Sequence, residues 1–236
     1  MRATGHEGDV DLSEILDVAH YADLVEYGGL VAAIARVSRQ NGIDLGRIYP
    51  QATSGKGLYK TANADSDRGR MSVLLGLGRR SFSLKLEGRG FIWARGSTSD
   101  LSALTAAMGA WRRGEKLRDL SRDFPFLEYE RISQGHEDGI PVETQWNIVL
   151  ESERLRPYRS LLLAVGADAR LRELFPTFSH DTLRLAVDCY DREAGEIVIQ
   201  LLPDGSHSVL ASAGEVSGTL AELAGAATSA LAVERD

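Results

Sequence analysis

Residues 174–190, LFPTFSHDTLRLAVDCY, set Ser179, His180 and Asp181 side by side and follow them with the single cysteine, Cys189. A thiol with an imidazole base is the pair needed for cysteine catalysis, and a histidine beside a carboxylate can move protons. If 183–190 is a strand, His180 stands at its entry and Cys189 at its exit. Nine residues at about 3.3 Å each separate them by about 30 Å, too far for a nucleophile and its base. Cys189 is therefore expected to be a buried small hydrophobe.

His180 has better neighbours. In an antiparallel meander the start of one strand, the end of the next and the start of the third share a sheet edge. That brings His180 and Asp181 towards Asp204 and His207, about 10 Å across. His180, Asp181 and His207 are thus the catalytic candidates, for acid–base work. The simpler reading is that Ser179 or Asp181 caps a turn and His180 satisfies a backbone group.

A second chemistry comes from charge. The net charge is −7, yet residues 47–95 hold ten basic and three acidic residues, a local +7 that leaves −14 elsewhere. Four of the 27 basic residues are Lys, so 23 are Arg, a side chain suited to bidentate contact with phosphate or carboxylate. SGKGLYK, residues 54–60, lacks the order of a phosphate loop, because Gly57 follows Lys56 and no hydroxyl residue stands next to it. It reads as part of a flexible loop, 50–70. Lys56, Arg68 and Arg70 in that loop, with Arg89 in a turn at the same end of the sheet, are the candidate anion-binding residues. The plainer alternative is a solvated basic face and a disordered loop.

No metal or cofactor is expected. The five histidines (His6, His20, His136, His180, His207) show no ligand spacing. His136 lies in GHEDG, which reads as an exposed loop. One cysteine excludes an intrachain disulfide.

These residues must be positioned by regular elements. Apolar residues at helical spacing run over 12–39, interrupted at Gly28-Gly29 and closed at Asn41-Gly42. Three strands follow, 71–77, 82–87 and 91–95, with Phe82, Leu84 and Leu86 facing one way and Ser83, Lys85 and Glu87 the other. A helix begins with Ser99 as N-cap and stops at Gly114, its stripe formed by Leu101, Leu104, Met108 and Trp111. The second half repeats the order: helices over 143–153 and 158–174, strands 183–190, 197–202 and 208–212, and a final helix with its stripe at Leu220, Leu223, Ala227 and Leu231. The expected fold is α+β: two tandem α-β-β-β-α modules with antiparallel sheets, related by duplication. The boundaries read as 1–120, a link over 121–140 and 141–236.

Composition sets limits. Apolar residues make up 43% and charged residues 26%, ordinary values for a water-soluble domain. The start carries no apolar segment of a signal peptide, and Leu161–Val165 is too short to span a membrane. A cytoplasmic setting is expected, with no membrane partner, and the acidic balance argues against nucleic acid. A homo-oligomer is compatible with the sequence.

Several stretches carry a resemblance: FPFLEYE, VETQWNIVL, LRELFPTFSHDTLRL and IVIQLLPDGSHSVLAS. They resemble an uncharacterised actinobacterial family of natural-product biosynthesis proteins of unknown function, over about 100–235. The pattern includes Trp111 with Gly114, Phe124-Pro125-Phe126, Gln145-Trp146 and Phe175-Pro176 with Ser179-His180. Thr177 stands where the family often has a second aromatic. The resemblance implies a setting in specialised metabolism and carries no site residues. The element order also looks like that of bacterial secretion chaperones, which bind extended peptides. The expected function is a biosynthetic protein acting on or binding an intermediate or precursor peptide, in a groove between the modules. The alternatives are a non-catalytic peptide-binding chaperone and an immunity-type partner. A pocket with displaced pKa values favours catalysis, and an open groove without them favours binding.

Overall fold

Gly28 and Gly29 adopt φ of +90° and +103°, values open to glycine at little cost. They end helix α1, Val18–Tyr27, and start helix α2, Leu30–Gln40. The computed structural model describes residues 10–201, 207–211 and 214–218. The chain divides into two units, Met1–Glu130 and Arg131–Asp236.

The first unit continues through β1, Ile48–Tyr49, the short helix α3, Gly57–Lys60, and β2, Thr61–Ser66. Strands β3, Gly69–Leu75, β4, Phe82–Glu87, and β5, Ile92–Thr98, come next. Helix α4, Leu101–Arg112, helix α5, Leu117–Asp123, and β6, Leu127–Glu128, complete it. All six strands form one antiparallel sheet in sequence order. Its inner face carries Ala62, Ala64, Met71, Val73, Phe82, Leu84, Leu86 and Ala94, all buried in one core with Leu30 and Ile34 of α2 and Leu104, Met108 and Trp111 of α4.

Three expectations are corrected here. Residues 57–66, read as part of a flexible loop, form α3 and β2. Their polar composition hid a strand whose inward residues are the small Ala62 and Ala64, both fully buried. The cap of α4 is Asp100, whose Oδ1 accepts from the N–H groups of Ser102 and Ala103 at 2.7 and 3.1 Å, and not Ser99. Residues 121–130, read as link, supply the end of α5 and β6, which pairs Glu128 with Arg95 and Leu127 with Gly96.

The second unit opens with helices α6, Arg131–Glu137, and α7, Pro141–Glu151. A 3-10 stretch, Glu153–Tyr158, leads to α8, Arg159–Ala167, and α9, Ala169–Arg172. Asp168 divides these last two by accepting from Arg170 and Leu171, where one helix was expected. Strands β7, Phe175–Ser179, β8, Thr182–Asp188, and β9, Asp191–Leu201, are followed by β10, His207–Ala211, and β11, Gly214–Gly218. They form a second antiparallel meander in sequence order. Its core joins Trp146, Leu162 and Leu171 to Leu183, Leu185, Ile197 and Ile199, and Trp146 Nε1 donates to the Leu174 carbonyl at 3.0 Å.

The α+β class with antiparallel sheets stands. Three strands per module does not: among the described residues the sheets have six strands and five. The final helix, with Leu220, Leu223, Ala227 and Leu231, lies outside the described residues, so the equivalence of the two modules has only the shared meander order behind it. Phe175-Pro176, read as loop, begins β7 at the sheet's edge, where a proline removes no ladder hydrogen bond.

Candidate ligand-binding groove

Alternation decides what each face of the first sheet presents. With Met71, Val73, Leu84 and Leu86 turned inward, β3 and β4 turn Arg70, Ser72, Ser83, Lys85 and Glu87 outward. Antiparallel pairing aligns these into rows across the strands. Asp65, Arg70 and Glu87 form one row, Asn63, Ser72, Lys85, Arg95 and Glu128 a second, and Ser83 pairs Ser97 in a third. Over this face lies an open groove of about 850 Å³, lined by groups that include Arg70, Ser72, Lys85, Glu87, Arg95 and Ser97. Leu74, Pro125 and Phe126 supply its apolar wall, and Phe126 is held there because its carbonyl packs directly on Gly96.

The groove's charges are arranged, not scattered. Lys85 Nζ lies 2.8 Å from Glu87 Oε1, and Ser72 Oγ donates to Glu87 Oε2 at 2.7 Å. Burial alone would raise the Glu87 carboxyl, but the bonds from Lys85 and Ser72 outweigh it and hold Glu87 below its ordinary value. It is a fixed anion rather than a proton carrier at neutral pH. Arg70 approaches Asp65 at 3.8 Å, and Tyr49 donates to the same carboxylate at 2.9 Å. Arg95 reaches Glu130 at 3.4 Å, with both side chains mostly in solvent. Beside Ser72 in the second row, Asn63 is 3% exposed and its Oδ1 has no hydrogen-bond partner.

The four residues expected to gather around an anion are dispersed. Arg70 lines the groove, and Gly88 beside Arg89 joins it in a shallow hollow of about 360 Å³ with Asp65 and Glu87. Arg68 is engaged inward: its guanidinium carbon lies 3.6 Å from the Trp111 ring centre and 4.7 Å from that of Trp93. Its Nη1 donates to the Glu115 carbonyl at 2.9 Å. Lys56 precedes α3 and so stands beyond Thr61, the opposite end of β2 from Ser66. The length of that strand, about 17 Å, separates it from the Arg70 end.

In the second unit His180 and Asp181 are the two central residues of the β7–β8 hairpin, with φ of +50° and +59°. Two left-handed residues match the twist of the flanking strands, and the turn was anticipated as the simpler reading. Ser179 Oγ lies 2.8 Å from His180 Nδ1, and Tyr158 donates to Asp181 Oδ1, which raises the Tyr158 phenol. The Leu201 N–H donates to the Asp181 carbonyl at 3.1 Å, and Leu201 pairs with His207. The backbone thus sets all three candidates along one edge. Asp204 lies outside the described residues.

Cys189 is not inside a strand. It occupies the two-residue turn between β8 and β9 with Tyr190, partly exposed, and burial pushes its thiol up. Tyr190 Oη lies 2.5 Å from His136 Nε2, and the His136 ring stacks near Phe175. Burial lowers His136 and raises Tyr190. GHEDG was read as exposed loop; its histidine is a half-buried helical residue of α6.

Sequence reasoning noted the outward side of β4 but missed the groove. The signal was the alternation at 70–74, 83–87 and 95–97, which places three cations and three serines on one side. Among the described residues there is no cluster of three or more His, Cys, Asp or Glu able to hold a metal, and no helix long and apolar enough to cross a membrane.

Fold and site together define an α+β protein with an open polar groove on one sheet. A family of unknown function, DUF6193, matches residues 141–233, less than half of the chain. No curated protein and no solved structure matches.

Proposed function

We propose that the first unit is a binding module and that its uncovered sheet face holds an extended, charged ligand, a peptide or a peptide-like intermediate. One observation carries this reading: a sheet packed on one side by α2 and α4 leaves on the other an 850 Å³ groove of fixed charges and hydroxyls. Glu87, one of the carboxylates that line it, is held ionised, which suits recognition better than proton transfer. Polar groups along the strands with an apolar wall at Phe126 match an extended chain with side chains of both kinds. The resemblance of residues 100–235 supports a setting in natural-product biosynthesis in an actinobacterial cytoplasm, with a precursor peptide as the molecule held.

Selection of peptides from a random display library on the full chain tests the reading. Ser97→Trp lays an indole across the groove floor at an exposed position. Peptides selected on the wild type are expected to lose the variant, and equal capture by both would end the proposal.

A second reading, catalysis at His180, Asp181 and His207, draws on their shared sheet edge. It predicts that His180→Ala abolishes turnover of whatever intermediate the chain consumes, with its fold intact.

A further inference from the structure

Lys85 and Arg95 are direct cross-strand partners on the groove side of β4 and β5. Residues so placed have Cβ atoms about 4.5–5.5 Å apart, and like charges there repel. A sheet can lower that cost by offsetting the pair in register or by neutralising each cation, and neutralisation is incomplete here. Among the described residues Lys85 gives one contact, to Glu87, and it has three N–H donors. Arg95 has five donors, and among the described residues its one ion pair is the long, solvent-screened approach to Glu130 at 3.4 Å, with Glu128 opposite it on β6. Two residues along, on the same face, Ser83 faces Ser97, and no hydrogen bond of either hydroxyl occurs among the described residues. Four donor side chains therefore stand on one face of two adjacent strands, as two neighbouring cross-strand pairs of the groove floor.

We propose that Lys85, Arg95, Ser83 and Ser97 form an oxyanion site, which seats a phosphate, sulfate or carboxylate group of the molecule held in the groove. The inference rests on the reading of this face as a binding surface and adds the chemistry of its ligand. An oxyanion between the two cations turns a repulsion into two attractions, and Arg95 can present two parallel N–H groups to it. Glu87 holds the Lys85 amine on the Arg70 side of the row at 2.8 Å and Ser72 holds Glu87, so an oxyanion must share Lys85 with Glu87 or turn it towards Ser83 and Ser97. Glu128, opposite Arg95 in the same row, makes the site selective: it tolerates an anion only on the Lys85 side of Arg95 and disfavours one further across the row, towards β6. The ligand is thus an oxyanion attached to a larger group, not a polyanion. Lys56, Arg68, Arg70 and Arg89 are not among the four residues of this site.

The test follows backbone amide shifts of the full chain during titration with inorganic phosphate, and separately with acetate. Saturable shifts centred on residues 83–85 and 95–97 are expected, with a dissociation constant on the order of 1 mM for the bare ion. The stronger of the two probes tells a phosphoryl from a carboxylate ligand. Arg95→Thr should weaken the response by about tenfold or more, while its melting temperature stays level or rises because a repulsion has gone. Arg89→Ala should leave the response intact. Shifts centred on the 88–90 turn, or a response unchanged in Arg95→Thr, overturn the proposal. If Arg95→Thr captures the selected peptides normally while Ser97→Trp loses them, the oxyanion site falls and the groove reading stands. If both variants capture normally, both fall.

Discussion

The guanidinium of Arg68 lies over the indole of Trp111, its central carbon 3.6 Å from the ring centre, at the boundary between hairpin and core. Trp93 stands beside it, its ring centre 4.7 Å from the same carbon, and donates through Nε1 to the Arg68 carbonyl at 3.0 Å. The tip of the β2–β3 hairpin is thereby fastened to α4. A cation in this place stabilises the fold and has little left for a ligand.

Arg68→Ala is expected to destabilise the first unit by about 1–3 kcal/mol, from the stacking and the bond to Glu115. Arg68→Lys should recover little, since a lysine has no planar face. Denaturant unfolding measures both, and the phosphate response should be unchanged in any folded variant.

Asp23 and Arg80 form a bidentate pair at 2.7 and 2.8 Å, beside a turn whose carbonyls at Gly76 and Ser81 accept from Tyr21 Oη. The bond from Arg80 lowers the Asp23 carboxyl, against burial. Its folded value lies below the ordinary 3.8, so the contribution is complete above that pH and fades as pH falls through the folded value. Asp23→Asn should cost about 1 kcal/mol near neutrality, after allowance for partial exposure. The gap between the two proteins should close in acid, as followed by thermal melting against pH.

His136 behaves with the same sign in the second unit. Burial lowers its pKa from 6.5, so the unfolded chain takes up a proton first as pH drops. Stability of this unit is full above 6.5 and declines below it, towards the folded value. Melting of the wild type should therefore fall as pH drops below 6.5, and His136→Gln should flatten that slope. A slope unchanged in the variant would assign the acid sensitivity elsewhere.

Gly96 lets β6 approach β5. A Cβ there would come within 1.8 Å of the Phe126 carbonyl oxygen, a backbone atom that cannot move aside alone. Gly96→Ala should cost about 1–3 kcal/mol and displace the Phe126 wall of the groove. Loss of stability together with weaker peptide capture is the expected pattern.

Much of this architecture was legible in the chain. The stripe Leu101, Leu104, Met108 and Trp111 is buried as its spacing required, and the alternation of FSLKLE gave the two faces of β4. What escaped was carried by residues with weak preferences. Ala62 and Ala64 fill a strand because α2 and α4 press close above them, a tertiary demand that TANADS does not advertise. Leu127 and Glu128 are too few to announce a strand and need Gly96 opposite. The groove escaped for a related reason: its residues are remote in sequence, and only the register of β3, β4 and β5 brings Arg70, Lys85 and Arg95 to one side. Charge counting found the basic segment but could not tell Arg68, spent on two indoles, from Arg95, which faces the groove.

The central claim, that the open face of the first sheet is where this protein holds its ligand, is tested most directly by mapping a selected peptide onto the full chain through backbone amide shifts. The account predicts that the largest changes fall on β3, β4 and β5 around Ser72, Lys85, Arg95 and Ser97, with residues 175–201 silent. Changes centred on the hairpin of His180 and Asp181, with the first sheet unmoved, would contradict it.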